Sequence, residues 1–308
     1  MSEPGGAAQP AHVWVDGELL PADARHLSVA DRGFQLGDGV FETMRARAGR
    51  VTELAEHLAR LHRSAEGLEI PLPRDVDARL AEGIAALLAA EGWDGPDGDA
   101  SIRITVSRGV FRSRGTLPPD EGVAATLVVQ AWPVVAAAPE ALDRGIHLVT
   151  SRIRRDPQDP LASLKTTSRA EYVYAKLEAR RAGADDALFL TITDHLSETT
   201  SANLFLVRRA ADGMPELATP ALDCAILPGT TRSWLLGWGE RVGLHGVEGW
   251  LTPAELAAAD EVFLCSSVAG VLPVTMLDGA PIGDGQPGPW TRRARTDRES
   301  MIRGEDGS

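Results

Sequence analysis

The sequence is poor in cysteine and offers no clustered metal ligands. Among its 308 residues only Cys224 and Cys265 are cysteines, which is too few for a disulfide framework. The seven histidines are scattered and form no H-x-x-x-H pair. We therefore expect no structural metal. The low thiol content also predicts the reducing environment of the cytoplasm.

Positive charge is in deficit, and long apolar runs are missing. Lys and Arg total 31 against 44 Asp and Glu, a net charge of −13, which disfavours nucleic acid and anionic membrane surfaces as partners. No stretch approaches the roughly 20 apolar residues of a transmembrane helix. Residues 1–12 lack a basic segment followed by an apolar one, so we expect no secretory signal.

The remaining composition is that of a folded protein, 44% hydrophobic and 24% charged. Predicted strands and helices follow each other without regular βαβ alternation, which indicates two α+β domains and not a doubly wound sheet. We predict an N-terminal domain over 1–132, a linker over 133–141 with two prolines, and a C-terminal domain over 142–308. Residues 31–39 are interpreted as a turn-rich connection.

Lysine is nearly absent, because arginine supplies almost all of the positive charge. Only Lys165 and Lys176 occur, and Lys165 follows an apolar loop in "PLASLKTTSR". An arginine cannot form a Schiff base, whereas a lysine amine can. Lys176 lies within a predicted helix and is interpreted as a surface residue. For Lys165, a surface lysine and a reactive amine are both open at this stage.

Three further features could act together with a reactive lysine. Glu198 stands among small hydroxyl residues in "LSETTSANLF", "LPGTTR" at 227–232 opens a predicted helix, and Arg60 lies on another helix. A helix N-terminus attracts anions. Taken singly, each has a simpler interpretation. Glu198 would be a carboxylate in a turn, "LPGTTR" a helix cap and Arg60 an arginine exposed to solvent. Together, an imine-forming amine, a carboxylate for a ring nitrogen and a phosphate site are what pyridoxal phosphate requires.

The motifs resemble one family in order and spacing over roughly residues 12–290. They include "DRGFQLGDGVFET", "HLARLHRSA", "LKTTSR", "SETTSANLF", "LPGTTR" and "SSVAGVLPV". The family is the fold-type IV (class IV) pyridoxal-phosphate aminotransferases, with D-amino-acid, branched-chain and (R)-amine transaminases and 4-amino-4-deoxychorismate lyases. The resemblance implies a smaller N-terminal α/β domain, a larger C-terminal cofactor domain with a β-barrel-like core, and a homodimer whose active site lies between the domains.

The resemblance also assigns roles to individual residues. Lys165 would carry the cofactor as a Schiff base and move the proton at the substrate α-carbon. Glu198 would keep the pyridine nitrogen protonated. The remaining cofactor-binding residues, chiefly for the phosphate, would be Arg60, Thr230, Thr231, Ser267 and Val268.

Substrate residues are predicted from a strand and a loop. Alternation over 40–47 places Phe41, Thr43 and Arg45 on one face. The polar loop over 107–122 contributes further candidates for binding a carboxylate, namely Arg108, Arg112 and Arg114.

Departures from the family pattern bear on the reaction. Ala170 replaces a tyrosine that many members have, and no Arg-x-His motif follows Arg114. We predict a transaminase that moves the amino group of a D-amino acid, or an (R)-amine, to 2-oxoglutarate or pyruvate. The alternative is a lyase giving 4-aminobenzoate and pyruvate, with Thr43 relaying a proton. A branched-chain L-amino-acid enzyme and a non-catalytic cofactor carrier are less favoured.

Overall fold

The computed structural model describes residues 9–112, 115–118, 123–134, 139–210 and 213–305, the side chain of Ala141 excepted. The chain divides into two compact units, each described here by itself. Unit 1 comprises Met1–Val135 with Leu164–Arg169, and unit 2 comprises Ala136–Ser163 with Ala170–Ser308. The sequence prediction counted Leu164–Arg169 with the C-terminal domain, whereas its contacts group it with unit 1. Residues 135–138 of the predicted linker lie outside the described part.

Unit 1 is built on an antiparallel sheet. Its elements are β1 (His12–Val15), β2 (Glu18–Pro21), α1 (Arg32–Leu36), β3 (Gly39–Arg47), β4 (Arg50–Val51), α2 (Leu54–Gly67), α3 (Val76–Glu91), β5 (Asp99–Ser107) and β6 (Thr126–Pro133). Within the described residues the sheet has six antiparallel strands in the order β2-β1-β6-β5-β3-β4. The order places β3 in the interior of the sheet, paired with β5 over its whole length.

A short helix occupies the segment expected to be a turn-rich connection. Helix α1 begins after Asp31, whose side chain accepts a hydrogen bond from Gly33 N at 2.8 Å. It ends at Gly37, which takes the left-handed conformation with φ of 66°. A five-residue helix shows too little periodicity to be recognised in sequence, but its cap and its terminating glycine follow ordinary helix chemistry.

Helix α2 presents its buried face to the sheet of unit 1, and this face is partly polar. Its buried residues are His57, Arg60, Leu61, Ser64 and Ala65, which recur at spacings of three and four. Such spacing places them on one side of a helix. Leu61 and Ala65 join the core of the unit. The polar members of the same face are therefore held against β3.

Unit 2 is built on a mixed sheet. Its elements are α4 (Pro139–Arg144), β7 (Ile146–Arg155), α5 (Ala170–Ala182), β8 (Asp186–Thr191), β9 (Leu196–Thr199), β10 (Asn203–Arg209), β11 (Pro215–Pro220), α6 (Thr230–Val242), β12 (His245–Gly249), α7 (Pro253–Ala257), β13 (Glu261–Ser266), β14 (Gly270–Leu277), β15 (Ala280–Pro281) and α8 (Pro289–Arg303). The described strands run β12-β11-β10-β13-β14-β7-β8-β9, with β15 paired to β14. The pairs β11–β12, β14–β7 and β7–β8 are parallel.

The sheet of unit 2 is buried on both faces. Leu204 and Leu206 of β10 belong to one core cluster, whereas Phe205 and Val207 belong to another that includes residues of α6 and α8. Strand β9 also approaches β10 and β11, which are not its neighbours in the sheet, so the sheet curls. Two buried faces explain why these strands are almost continuously apolar in sequence.

No helix within the described ranges is long and apolar enough to cross a membrane.

Candidate active site

Lys165 is held by backbone hydrogen bonds to β3. Phe41 N donates to Lys165 O at 2.9 Å, and Thr167 N donates to Gly39 O at 2.8 Å. Lys165 N donates to Ser64 Oγ on α2 at 3.1 Å. A Cβ at Gly39 would lie 3.1 Å from Thr167 Oγ1 and 2.8 Å from Val106 O, so the glycine lets both the Lys165 segment and β5 approach β3 closely. The lysine backbone is thereby fixed to the interior of unit 1.

The Lys165 amine lies beside an aromatic ring that two arginines also contact. Lys165 Nζ is 4.7 Å from the centroid of the Phe41 ring, Arg103 Cζ is 3.9 Å from it and Arg169 Cζ is 5.6 Å from it. Such distances are typical of cation–π contacts. The predicted residues Lys165 and Phe41 are therefore brought together, in the company of two arginines that sequence analysis did not select.

Register explains why Arg103 was missed and where Thr43 lies. Arg103 is the cross-strand partner of Thr43, and Thr105 is the partner of Phe41. Alternation therefore places Thr43 and Arg103 on the face of Phe41. In sequence, Arg103 alternates with apolar Ile102 and Ile104, a pattern typical of a solvent-facing residue. Only the pairing with β3 indicates a functional face.

Positive charge accumulates on this face. Burial lowers the pKa of Arg103 from its ordinary value, and the positive charge of Arg169 lowers it further. Two repelling guanidinium groups near an amine favour the binding of an anion between or beside them. The face of β3 that carries Phe41 is thus suited to a carboxylate substrate.

Glu42, on the opposite side of β3, is a fully buried carboxylate. It accepts hydrogen bonds from Arg60 Nε at 2.8 Å and Arg60 Nη2 at 2.7 Å, and His57 Nδ1 lies 2.7 Å from its Oε2. Burial raises the pKa of Glu42, but the hydrogen bonds of Arg60 and His57 and the charges of Arg60 and Lys165 outweigh it. The net result lowers this pKa to about 2. Arg60, the predicted phosphate ligand, is therefore held in a bidentate ion pair.

Two other predicted substrate arginines are engaged with the protein. Arg45 makes a bidentate pair with Asp99, at 2.7 and 2.6 Å. Arg108 donates to Asp38 through Nε, to the Glu69 carbonyl through Nη1 and to the Leu68 carbonyl through Nη2. All three nitrogens of Arg108 thus contact the scaffold of unit 1, and its substrate role stays a prediction.

The last two members of the predicted loop differ in how far they are described. Arg112 is exposed. Arg114 lies outside the described residues, so its predicted contact with a substrate carboxylate stays a prediction.

In unit 2, Glu198 is buried at β9 and held by two donors. Its Oε2 accepts hydrogen bonds from Leu227 N at 3.0 Å and from Asn203 Nδ2 at 3.2 Å. Asn203 also donates to the Leu227 carbonyl at 3.0 Å. A Cβ at Gly229 would lie 2.0 Å from Asn203 Oδ1, so this glycine leaves room for the amide. The segment before α6 therefore positions the carboxylate.

A buried arginine faces the same carboxylate. Arg155 of β7 pairs with Glu171, and its Cζ lies 5.1 Å from the centroid of the Tyr172 ring. Burial opposes its charge, but Tyr172, Glu198 and Glu171 outweigh burial and raise the pKa of Arg155. The positive charge of Arg155 therefore interacts electrostatically with the Glu198 carboxylate.

The predicted phosphate residues of unit 2 meet at the start of α6. Thr230 opens the helix after Gly229, and its Oγ1 lies 3.3 Å from Ser267 Oγ. Thr231 is buried, and Val268 follows Ser267 in the turn after β13. The amides of a first helical turn have no carbonyl partner within their helix, so they can bind an anion together with these hydroxyls.

The chemistry of these side chains fits pyridoxal phosphate. Its aldehyde requires an amine, its pyridine nitrogen a carboxylate and its phosphate an anion site. Lys165, the buried carboxylate of Glu198 and the helix start at Thr230 supply these groups, and Gly229 leaves room for the Asn203 amide that holds the carboxylate. Within the described residues, no group of three or more His, Cys, Asp or Glu is arranged to hold a metal ion.

Known enzymes of several activities are similar to this chain in sequence and fold. The pattern described as amino-transferase class IV matches residues 39–277. The chain is 33% identical over 263 residues to the aminodeoxychorismate lyase of Vibrio harveyi, covering 85% of this chain and 90% of that protein. It is 31% identical over 295 residues to the D-alanine aminotransferase of Bacillus licheniformis, covering 95% and 98%.

A solved structure shows the same likeness in three dimensions. The branched-chain amino acid aminotransferase of Escherichia coli matches this fold with a TM-score of 0.87. The two are 28% identical, and the match covers 96% of this chain and 96% of that one. A further branched-chain amino acid aminotransferase, solved with pyridoxamine 5'-phosphate, matches with a TM-score of 0.88 at 28% identity over 97% of this chain and 96% of that one. The likeness confirms the predicted fold class, fold type IV.

The ion pair of Glu42 predicts a pH dependence of stability. Because its folded pKa lies below the ordinary value of 4.5, the pair stabilises the folded chain above pH 4.5, and this contribution is lost as the pH falls toward 2. We expect Glu42→Gln to lower the free energy of unfolding by about 3 kcal/mol at pH 6, and this gap to shrink by about 1–2 kcal/mol at pH 3.5. Urea unfolding of both chains measures it.

Glu66→Gln is the matched control, because Glu66 is exposed on the same helix as Arg60. It removes one negative charge without removing a buried ion pair. A gap between wild type and Glu42→Gln that does not change with pH would contradict the ionised, paired state of Glu42.

Proposed function

The chain belongs to the class IV aminotransferases, which use pyridoxal 5'-phosphate, and we propose that it moves the amino group of a D-amino acid, or an (R)-amine, to a 2-oxo acid such as 2-oxoglutarate or pyruvate. The observation that carries this proposal is the Lys165 amine 4.7 Å from the Phe41 ring, beside Arg103 and Arg169. A reactive amine in a cationic site fits a substrate that carries both an amino group and a carboxylate.

Lys165 and Glu198 have the two proton-handling roles. When bound, the cofactor supplies an electron sink that stabilises negative charge at the substrate α-carbon. Lys165 would hold the cofactor through its amine, and once the amino group of the substrate has taken its place there, the released Nζ would remove the α-proton and return a proton on the cofactor side. Glu198 would hold a proton on the ring nitrogen, and the donors Leu227 N and Asn203 Nδ2 keep the carboxylate in place. The positive charge of Arg155 interacts with this carboxylate.

The proposed phosphate ligands are the residues predicted from the sequence. Thr230 and Ser267 offer hydroxyls, and the first turn of α6 offers amides. Arg60 adds a guanidinium that Glu42 holds in one orientation. Further cofactor contacts come from Thr231 and Val268.

Substrate recognition is assigned to the cationic face of β3. Arg103 and Arg169 bind the substrate carboxylate, since guanidinium groups match carboxylates in a bidentate manner. Phe41 supplies the apolar surface against which the substrate lies. Arg112 and Arg114 remain candidates for a second carboxylate of a larger acceptor. A D-amino acid is the proposed donor, and the 31% identity to the D-alanine aminotransferase of Bacillus licheniformis supports it.

The second candidate is an aminodeoxychorismate lyase, and the position of Thr43 favours it. Thr43 lies across from Arg103 on the face of Phe41, so its hydroxyl can relay a proton during release of pyruvate. The 33% identity to the lyase of Vibrio harveyi also supports this candidate. The two activities need the same cofactor residues and differ in which bond of the substrate breaks.

Substrate assays separate the two candidates. With bound cofactor, D-alanine and 2-oxoglutarate should give pyruvate and glutamate, while aminodeoxychorismate should give little 4-aminobenzoate. Rapid release of 4-aminobenzoate without amino transfer from any D-amino acid would reject the transaminase in favour of the lyase. Arg103→Met and Arg169→Met should each raise the KM for D-alanine about tenfold or more, because each removes a charged hydrogen-bond donor.

The matched control for these variants is Arg63→Met, since Arg63 is exposed on α2. It should leave the KM unchanged. The absorbance band of the bound cofactor should persist in all three variants. A KM that stays at the wild-type value in both site variants would contradict the proposal that these arginines bind the substrate carboxylate.

A homodimer is proposed from an exposed apolar segment of unit 1. Leu27, Val29, Phe34 and Leu36 lie within ten residues, and Val29 and Phe34 are 77% and 74% exposed. Apolar side chains concentrated at such exposure fit a surface that another subunit covers. The cytoplasmic location inferred from the cysteine content stays a prediction.

Sedimentation should therefore give twice the chain mass of 32.7 kDa. Phe34→Asp should shift the mass toward that of one chain, because it places a charge in the apolar segment. Ile192→Asp, at an exposed apolar residue of unit 2, is the control and should leave the mass unchanged. A wild-type chain that sediments as a monomer at micromolar concentration would contradict the dimer.

A further inference from the structure

Arg298 is an arginine buried completely within unit 2. It lies on α8, has 0% exposure and is among the largest fully buried side chains of the described residues. Burial of a guanidinium group is costly unless its partners compensate for the lost water. Arginines are also rarely fully buried in general. Such a residue calls for a role that a leucine or methionine could not fill.

The contacts of Arg298 lead to the start of α6. Its Nη2 donates a hydrogen bond to Thr231 Oγ1 at 3.2 Å, and its Cζ lies 5.1 Å from the ring of Trp234. Its Nη1 lies 3.6 Å from Met301 Sδ on its own helix. Both Thr231 and Trp234 belong to α6. The guanidinium is therefore fitted between α8 and the N-terminal turns of α6.

The hydrogen bond fixes the polarity of the Thr231 hydroxyl. A hydroxyl has one hydrogen to donate and two lone pairs that accept. An arginine only donates, so Thr231 Oγ1 must accept from Arg298, and its own hydrogen is directed to another acceptor. Thr231 stands next to Thr230, whose hydroxyl is 3.3 Å from Ser267 Oγ. With its accepting side toward Arg298, the Thr231 hydroxyl keeps its hydrogen for donation at the start of α6.

The charge of Arg298 adds to that of the helix. The N-terminus of an α-helix carries a partial positive charge of about half an elementary charge. A buried guanidinium behind the first turn adds a full charge that solvent screens little. An anion at this helix end is consequently bound more strongly than by the amides alone.

We propose that Arg298 is a positioning residue for the phosphate of the cofactor, because it orients the Thr231 hydroxyl and places a buried positive charge behind the start of α6. This inference rests on the proposed role of Thr230, Thr231 and Ser267 in binding that phosphate. Arg298 itself acts through Thr231 and through its field.

The test compares two aldehydes that differ only in the phosphate. Binding of pyridoxal 5'-phosphate and of pyridoxal to the cofactor-free chain is measured from the absorbance each gains on reaction with the protein. Arg298→Met should lower the affinity for pyridoxal 5'-phosphate about tenfold or more, because a charge-assisted hydrogen bond and a charge are lost. Its affinity for pyridoxal should stay as in wild type. Arg298→Lys, which keeps the charge, should recover part of the loss.

Two variants keep the result specific. Arg293→Met removes an exposed arginine of the same helix and should change neither affinity. Thr231→Val should lower the affinity for pyridoxal 5'-phosphate and leave that for pyridoxal unchanged. The double variant with Arg298→Met should lose less affinity than the two single losses added together, because both residues act through one hydroxyl. If Arg298→Met does not fold, Arg298→Lys and Thr231→Val carry the same comparison.

Arg298 is only a packing residue if wild type binds pyridoxal 5'-phosphate more tightly than pyridoxal and the Arg298 variants lower both affinities equally or change neither. That result overturns the inference and leaves the proposed function intact. A wild-type chain that gains no absorbance with pyridoxal 5'-phosphate contradicts the proposed function itself, and the role of Arg298 with it.

Discussion

The short antiparallel pairing between β3 and the segment that carries Lys165 is the contact on which the site of unit 1 depends. Two backbone hydrogen bonds, Phe41 N to Lys165 O and Thr167 N to Gly39 O, fix the lysine against a strand that is itself paired along its length with β5. The register of β3 and β5 then decides which side chains surround the amine. Phe41, Thr43 and Arg103 share its face, and Glu42 is directed into the core.

The same strand separates two electrostatic environments. On one face, Arg103 and Arg169 accompany the lysine at the Phe41 ring, which suits an incoming carboxylate. On the other, Glu42 forms an ion pair with Arg60 in the interior, contacts His57 Nδ1 and holds the arginine in one orientation. Removing Glu42 would leave the charge of Arg60 buried without its partner, which is far more costly than losing a surface ion pair. The fold and the site therefore share residues.

The candidate residues of the site could be chosen from the sequence because the chemistry they would carry allows few residue types. The scarcity of lysine indicated Lys165, the small hydroxyl residues indicated Glu198, and the helix start indicated Thr230. The family and its fold class were confirmed by the match over residues 39–277. The order of strands and helices likewise predicted the α+β class, since it depends on local periodicity.

The residues that sequence could not identify depend on pairing across distance. Arg103 looks solvent-facing until its register with Thr43 is known, and Arg298 looks like one of several arginines on a polar helix until α8 packs on α6. Conversely, Arg45 and Arg108 were predicted to bind substrate, and both are engaged by carboxylates or carbonyls far along the chain. An arginine in a loop carries no local signal of its partner, because the partner comes from another element.

The central claim is that Lys165 carries the cofactor, and the scarcity of lysine makes this claim directly measurable. The chain is loaded with pyridoxal 5'-phosphate and reduced with borohydride, which makes the attachment permanent, and its peptides are identified by mass. The account predicts the phosphopyridoxyl group on the peptide that contains Lys165. A label confined to the peptide of Lys176, or the absence of any label, would contradict it.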